Sequence, residues 1–326
     1  MRIKPTSAAL VMLLAAAQPA SAQADDYPNR SVTIVAPAAP GGLYSLFARL
    51  IGSRLEQRFG KSFVVENRPG ASSIVGALSV IRSPRDGYTL MIANTSGLAN
   101  NVTLHKSLPY DPLKDFAPIA VIARVPEVLV VNASLPVHSL ADLTKLAKST
   151  PGGLSYGSAG PGTAQHLGGV ELGAALGVPV THVPYKGMQP AIADVAAGHI
   201  PFMFSPVSFA VPLAQAGKLR MLGVTTAARV EAIADVPPLV EIGLPHFGAV
   251  SWFMLVAPAG TPADIVGKLH REVSAVTADS QMRQEFVKLG LSPVQSPQPE
   301  ELLGFIKAEI ALWGGIITKA GLAGSQ

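Results

Sequence analysis

The chain reads VTIVAPAAPGGLYSLFARLIGSRLEQRFG over residues 32–60, and this stretch is the clearest indication of the fold class. Its opening residues, VTIV, are β-branched, which is typical of a buried strand. A loop rich in proline and glycine follows over residues 37–42, and leucine and isoleucine then recur at helical spacing until Gly60. The stretch therefore predicts a strand, a tight loop and a helix in immediate succession.

The same pattern returns in residues 154–177, which read LSYGSAGPGTAQHLGGVELGAALG. Each copy is followed by further short strands and helices with short connections, as in parallel βαβ units. Two such series predict an α/β protein of two lobes with parallel-rich sheets. We expect lobe I at residues 27–125 plus 249–326 and lobe II at residues 126–248. A strand at 127–131 should make the first of two crossings, which together form a hinge beside a cleft.

The N-terminus has the three parts of a secretory signal peptide. Two basic residues lie within the first four, an uncharged apolar run follows at 8–17, and the small residues ASA at 20–22 suit a signal peptidase. The apolar run is too short to span a bilayer. We expect a signal peptide at 1–22, with cleavage after Ala24 as the second choice and a frayed helix as the plain alternative.

Composition excludes several classes of protein. The 326 residues are 48% hydrophobic and 14% charged, which indicates a packed globular chain larger than one hydrophobic core. A formal charge of +4 without any basic run argues against nucleic-acid binding. The absence of cysteine excludes disulfides, thiolate metal sites, a cysteine nucleophile and a lipid-acceptor cysteine. We expect an exported periplasmic protein without a lipid anchor, acting as a monomer.

Motifs typical of catalysis are missing from the sequence. The GSAG at 157–160 has the wrong spacing for a nucleophile elbow, and Leu55 stands where a phosphate loop ending in the GKS of 60–62 needs glycine. The seven histidines show no metal-binding spacing. We expect a protein that is not an enzyme and has no cofactor, with a periplasmic hydrolase or isomerase as the minor alternative.

Nine short motifs, in the same order along the chain, resemble the Bug/TctC family of extracytoplasmic solute receptors of tripartite tricarboxylate transporters. They cover almost the whole chain after the signal peptide: YPNR at 27–30, APGG at 39–42, VENRPG at 65–70, DGYTL at 86–90, LPYDP at 108–112, YGSAG at 156–160, HVPYKG at 182–187, GKLR at 217–220 and APAGTP at 257–262. Each motif alone is weak, and their shared order makes the resemblance specific.

The resemblance implies a type II periplasmic binding protein, or Venus flytrap, that closes on a small carboxylate such as a di- or tricarboxylate or an aromatic acid. It implies a membrane permease as partner and no metal or organic cofactor. A periplasmic sensor for a two-component system would share the fold and stays an alternative. Two departures stand out, Ser45 in place of a common aspartate and ASS at 71–73 in place of AGG. The first disfavours a ligand with an amino group.

A carboxylate needs hydrogen-bond donors and positive potential, and a glycine-rich loop that opens a helix offers both. On spacing alone, ligand binding and a plain tight turn stay equally open. The resemblance favours ligand binding, because ligands of α/β folds lie at the carboxyl ends of parallel strands. The candidate ligand-binding residues are Ala39, Gly41, Gly42, Leu43, Tyr44, Ser45, Ser158, Gly160, Gly162, Thr163, His166, Tyr185, Phe204 and Ser205.

Most of these side chains also have a purely structural explanation. The serine and threonine hydroxyls serve equally well as helix caps, and one residue can do both. Tyr44 could stack on an aromatic ligand or be a plain surface tyrosine, and His166 could donate to the ligand or be a packed, hydrogen-bonded histidine. Phe204 could form a wall of the cleft or be a core phenylalanine. Lys186, beside the second loop, could pair with the ligand or be a solvated lysine.

Overall fold

The structure is a computed structural model that describes residues 26–244 and 250–326. The expected signal peptide and the second expected crossing, at 248/249, lie outside these residues. The described chain contains two sheets covered by helices, and each sheet carries one copy of the strand–loop–helix pattern. We call the six-stranded sheet and its helices lobe I, and the five-stranded sheet and its helices lobe II.

Strands and helices are numbered in chain order. The strands are β1 (Val32–Ala36), β2 (Phe63–Asn67), β3 (Thr89–Asn94), β4 (Phe116–Val125), β5 (Glu127–Asn132), β6 (Leu154–Ser158), β7 (Val180–Pro184), β8 (Phe202–Pro206), β9 (Leu219–Val224), β10 (Ser251–Pro258) and β11 (Ser292–Pro293). The helices are α1 (Leu43–Phe59), α2 (Ile74–Ile81), α3 (Asn101–Leu104), α4 (Leu140–Ser149), α5 (Ala164–Leu176), α6 (Met188–Ala197), α7 (Val207–Gln215), α8 (Ala263–Ala278), α9 (Ser280–Lys288) and α10 (Pro299–Lys319).

Lobe I is built on a sheet with the strand order β11-β4-β10-β3-β1-β2. Strand β1 is parallel to both of its neighbours, whereas β10 runs antiparallel to β3 and β4. One apolar cluster, around Phe47 and Phe253, packs on α1 and α8, and another, around Trp252 and Trp313, packs on α10. The two clusters bury both faces of the sheet.

Lobe II has the strand order β7-β6-β8-β5-β9. Strand β6 is parallel to β7 and β8, and β5 is antiparallel to β8 and β9. Tyr156 and Phe204 belong to the apolar cluster on one face, and Val130 and Met203 belong to the cluster on the other. Each lobe thus has its own core.

Local sequence explains the unit that carries the first loop. Four of the five residues of β1 are buried. Helix α1 buries Phe47, Ile51 and Leu55, which recur every fourth residue and so share one face. The helix ends at Gly60, whose φ of 66° lies in the left-handed region that glycine adopts without strain.

The predicted fold class, an α/β protein of two lobes, is confirmed, and the two sheets are mixed. The parallel pairs involve β1 and β6, the strands that lead into the glycine loops. The strand expected at 127–131 is β5, which lies wholly in lobe II. The chain changes sheet at Pro126, which lies between β4 and β5 and has no N–H to donate to a strand ladder. The lobe boundaries themselves stay a prediction.

Five of the labelled elements were not foreseen from the sequence, namely β4, β11, α3, α4 and α7. Helix α7 contains Pro212, and β4 contains Pro118, so each interrupts its own pattern with a residue that disfavours it. Within the residues described, no helix combines the length and apolar character needed to cross a bilayer.

Candidate ligand-binding site

The two glycine-rich loops lie at the carboxyl ends of β1 and β6, each between a strand and the helix that follows it. In lobe I the loop covers residues 37–42 and opens α1. In lobe II it covers residues 159–163 and opens α5. Parallel strands gather these ends at one edge of each sheet, which is where α/β proteins bind ligands.

The first loop leaves the start of α1 open. Gly42 occupies the N-cap with extended backbone, and no side chain of the described residues caps the helix there. The backbone N–H groups of the first turn are therefore available to an acceptor, and the helix dipole is positive at this end. Gly41 has a φ of 93°, and a Cβ on either glycine would meet open space.

Ser45 has a structural role in this loop. Its side chain is 1% exposed, and its Oγ accepts a hydrogen bond of 2.7 Å from Asn67 Nδ2. The same amide donates to the carbonyl oxygen of Ala38 at 2.8 Å. Asn67 thus ties β2 to the loop and to α1. An aspartate at position 45 would also lie inside this hydrogen-bonded contact, so the missing charge does not lie at the mouth of the cleft.

Tyr44 connects α1 to a second loop of lobe I. Its ring packs edge-on against Phe253, with centroids 5.1 Å apart, and its hydroxyl shares a hydrogen bond of 3.0 Å with Ser73 Oγ. Burial raises the pKa of Tyr44, and hydrogen bonds from Ser73 and Asn94 oppose the rise only in part. The phenol is therefore neutral at every physiological pH.

The loop of lobe II is held together by its own hydroxyls. Ser158 is fully buried, its Oγ accepts from the N–H of Gly160 at 3.0 Å, and it shares a bond of 2.6 Å with His182 Nε2. Thr163 Oγ1 donates to the carbonyl oxygen of Gly160 at 2.7 Å and accepts from the N–H of His166 at 3.4 Å. Thr163 is therefore the N-cap of α5, and both hydroxyls shape the loop.

Two stacked histidines, His166 and His182, contact this loop and help to fix its shape. The rings of His166 and His182 lie 4.0 Å apart at an angle of 23°, and His166 Nδ1 accepts a hydrogen bond of 3.1 Å from the N–H of Gly162. Burial lowers the pKa of His166. Burial and the neighbouring His166 together lower the pKa of His182 to about 4. Both rings are neutral at pH 7, which the acceptor role of His166 requires.

The lobes touch where the second loop meets lobe I. The carbonyl oxygen of Gly162 accepts hydrogen bonds from Asn100 Nδ2 at 2.8 Å and from Ser96 Oγ at 3.4 Å. A Cβ on Gly162 would lie 2.5 Å from Leu104 Cδ2. The donors come from a π-helical turn, Ser96–Asn100, that follows β3. Gly162 is thus a contact between the lobes, and its missing side chain permits the close approach.

Three further candidates have contacts that a structural role explains. Phe204 is fully buried in the core of lobe II, where it packs against Gly168 of α5. Ser205 is also buried and donates to the carbonyl oxygen of Pro206 at 3.1 Å. The hydroxyl of Tyr185 donates to Asp194 Oδ2 at 2.6 Å. Their assignment to ligand binding stays a prediction, and the structural alternative explains their present contacts.

The sequence reasoning missed the polar segment that faces the second loop. Asn101 Nδ2 donates to the carbonyl oxygen of Ser72 at 3.1 Å, and Asn100 reaches Gly162, so the asparagine pair joins two loops and two lobes. The adjacent asparagines were a visible signal. Their partners lie about thirty and sixty residues away in the chain, and only the fold brings them together.

Comparison with known proteins identifies the family. The sequence profile of the tripartite tricarboxylate transporter family receptor matches residues 47–322. The chain belongs to this family. A protein of Pseudomonas sp. strain P51, encoded in the tcbD-tcbE intergenic region, is 35% identical over 93% of this chain and 90% of its own length. Protein BugT of Bordetella pertussis is 32% identical over 93% of each chain.

Solved structures of family receptors resemble the chain over nearly their whole length. Rpa4515 of R. palustris, solved with adipate, is 38% identical with a TM-score of 0.88, covering 91% of this chain and 99% of its own. MatC of Rhodopseudomonas palustris, solved with malate, is 31% identical with a TM-score of 0.81, covering 89% and 100%. The receptor family thus includes proteins that hold linear dicarboxylates.

Proposed function

We propose that this chain is an extracytoplasmic receptor that captures a small carboxylate in the cleft between its lobes and delivers it to a membrane permease of the tripartite tricarboxylate type. The observation that carries the proposal is the pair of glycine loops. One opens an uncapped helix, α1, and the other contacts the opposite lobe through Gly162. Relatives of known structure hold adipate and malate, which supports a carboxylate as the ligand.

The backbone of the first loop supplies what a carboxylate needs. The free N–H groups of the first turn of α1 point along the helix axis, and Gly41 and Gly42 leave room for the ligand oxygens. Each hydrogen bond to a charged group contributes about 1.5–3 kcal/mol, and the helix dipole adds about 0.3–1 kcal/mol. Three or four such bonds, less the cost of association, reach micromolar affinity, about 8 kcal/mol.

Closure would couple binding to delivery. A ligand that contacts both loops favours the state in which the lobes touch, because only differential affinity shifts a conformational equilibrium. The permease can then distinguish the loaded receptor by its shape. The receptor is proposed to act as a monomer, which gel filtration with light scattering would test.

A hydrolase is the alternative to consider, because Ser158 and His182 form a serine–histidine contact. Ser158 is fully buried, and its Oγ already accepts from the N–H of Gly160. The pKa of His182 lies at about 4, so its ring is a weak general base at neutral pH. The pair therefore fits loop support and gives no second function.

The first experiment is calorimetric titration of the exported protein with mono-, di- and tricarboxylates, aromatic acids and acidic amino acids. We expect micromolar binding of one class of acid. Gly42→Leu should weaken that binding at least tenfold with an unchanged melting midpoint, because a side chain there meets open space in the fold and blocks the start of α1.

Gly304→Leu is the matched control, since position 304 lies on α10 and a Cβ there also meets open space. Its binding should equal that of the wild type. If no acid in the panel binds to protein freed of carried-over ligand, the proposed function is wrong. If an acid binds equally well to Gly42→Leu, the function stands and the location of the site is wrong.

Export is proposed from the N-terminal pattern, with cleavage after Ala22. Intact-mass measurement of protein recovered from the periplasm tests this directly. The expected mass is that of a chain beginning at Gln23. A mass that includes residues 1–22 would overturn the proposed cleavage.

A further inference from the structure

The loop before α2 holds an unusual backbone. Ala71, Ser72 and Ser73 have φ angles of 44°, 51° and 77°, and they are the only residues other than glycine with positive φ in the described chain. Left-handed conformations are unfavourable for residues with a Cβ, and they persist where the surrounding structure requires them. The loop is thus strained at three consecutive positions, two of which carry serine.

The strained backbone places the hydroxyl of Ser73 next to the hydroxyl of Tyr44. Its Oγ lies 3.0 Å from the hydroxyl oxygen of Tyr44, which stands in the first turn of α1 beside the uncapped Gly42. Asn94 also hydrogen-bonds the Tyr44 phenol. The two hydroxyl groups carry two O–H hydrogens, and only one of them is used in the hydrogen bond between Ser73 and Tyr44. The other O–H hydrogen has no acceptor within the described chain.

The pair lies beside the segment that contacts lobe II. A Cβ on Gly97 would lie 4.0 Å from both Ser73 Cβ and Asn94 Oδ1, and 3.9 Å from the hydroxyl oxygen of Tyr110. Gly97 belongs to the π-helical turn whose side chains reach Gly162 of lobe II. The spare hydroxyl hydrogen therefore belongs to the cleft side of lobe I, close to the start of α1.

The hydrogen-bonding groups around the pair are uncharged. Burial raises the pKa of Tyr110 to about 12 and also raises the pKa of Tyr44, so both phenols keep their protons. Asn94 and Asn101 add amides, and Asn101 joins the strained loop through the carbonyl oxygen of Ser72. Such a cluster favours a ligand group that accepts a hydrogen bond from a hydroxyl.

We infer that the Ser73–Tyr44 hydroxyl pair determines specificity by donating a hydrogen bond to a second polar group of the ligand, so that the receptor selects dicarboxylates over monocarboxylates of the same length. The inference rests on the proposed function and assigns the second contact to a side-chain hydroxyl of lobe I. The serine keeps a strained backbone because its hydroxyl contributes this bond.

The test compares three variants on paired probes, adipate with hexanoate and malate with 2-hydroxybutyrate, where each pair differs by one carboxylate. Ser73→Gly and Tyr44→Phe should weaken binding of the diacid about tenfold, which is about 1.4 kcal/mol, and leave the monoacid's affinity unchanged. Ser73→Gly should also melt no lower than the wild type, because glycine adopts a φ of 77° without strain. A folding defect would instead lower the melting midpoint.

Ala71→Gly is the matched control, since it relieves a φ of 44° in the same loop and removes only a methyl group. Its melting midpoint should rise while its affinities stay at the wild-type values. Unchanged diacid affinity in Ser73→Gly, with binding still lost in Gly42→Leu, would overturn the inference and leave the proposed function standing. Equal losses for both members of a pair would also overturn it, and so would a wild type that binds neither diacid.

Discussion

Glu127 places a buried carboxyl group next to the point where the chain passes between the lobes. It is 2% exposed, its Oε1 accepts a hydrogen bond of 2.6 Å from Gln165 Nε2, and its Oε2 is buried without a partner in the described chain. Burial raises its pKa from 4.5 to about 8, and the bond from Gln165 opposes the rise in part. The carboxyl is thus protonated in the folded protein at pH 7.

Glu127→Gln should therefore stabilise the protein at neutral pH. The unfolded carboxyl ionises above its ordinary value of 4.5 while the folded one stays neutral up to about pH 8, so the wild type loses stability as the pH rises between these values. Glutamine carries no such loss and can still accept from Gln165. We expect a gain of about 2–4 kcal/mol in the free energy of unfolding at pH 7, shrinking towards pH 4.5.

Urea unfolding of both proteins between pH 4.5 and 8 measures this difference. The exposed Glu231 supplies the control, and Glu231→Gln should follow the wild type at every pH. A gain for Glu127→Gln that is equal across the whole range would show that a neutral packing effect, and not ionisation, is responsible.

At the scale of elements, β6, β7 and the start of α5 form one unit around the histidine stack. Ser158 ends β6, His182 lies in β7, and His166 lies in the first turn of α5. The ring contacts and the bond from the N–H of Gly162 fix the loop between β6 and α5 only while both rings are neutral. A local unit of this kind ties the shape of the loop to pH.

Acid should weaken this unit in a defined pH window. The pKa of His182 falls from an ordinary value of 6.5 to about 4, so the neutral ring's contribution is complete above pH 6.5 and is lost as the pH falls towards 4. Relative to His182→Gln, the wild type should lose about 1–3 kcal/mol of unfolding free energy between pH 7 and pH 4, a range that allows for partial solvent screening.

Chemical unfolding at several pH values would measure that difference. His138, which is exposed, provides the reference variant, and His138→Gln should retain the wild-type dependence on pH. If His182→Gln shows the same dependence as the wild type, the ring does not titrate in the manner that its burial indicates.

At the scale of the whole molecule, the second glycine loop lies tightly against lobe I. Gly162 has a φ of 74°, and its missing Cβ makes room for Leu104 of the opposite lobe. Elsewhere between the lobes, a Cβ on Gly290 would lie 2.4 Å from Val207 Cγ1. Glycines thus set how closely the lobes approach.

Gly162→Ala should reduce ligand affinity about tenfold by opposing closure, since its methyl group would overlap Leu104. Calorimetric titration with the acid that binds best measures the effect. Gly177→Ala is the control. Gly177 ends α5, the helix that follows the second loop, its φ of 61° is also positive, and a Cβ there would meet open space. It should lose about 1 kcal/mol of stability and keep its affinity. Wild-type affinity in Gly162→Ala would contradict the closure argument.

Prediction from the sequence succeeded where the signal was local. Hydrophobic spacing and glycine placed α1, and the same reasoning placed α2 at the residues where it lies. It failed for β4 and α7, whose prolines interrupt the expected patterns. Pairing with β10, which is distant in the chain, stabilises β4, and α7 packs against β9, the strand that follows it. For the site, the loops were foreseen, while the asparagines opposite Gly162 were not.

The two lobes, the two glycine loops and the family could all be predicted from the sequence, because strand, turn and helix patterns act between near neighbours in the chain. The roles of the polar side chains depend on the tertiary fold. It turned Ser45 inward to Asn67, stacked His166 on His182 and brought Ser73 to Tyr44. These contacts join residues from 16 to 29 positions apart, and no local preference specifies them until the sheets have formed.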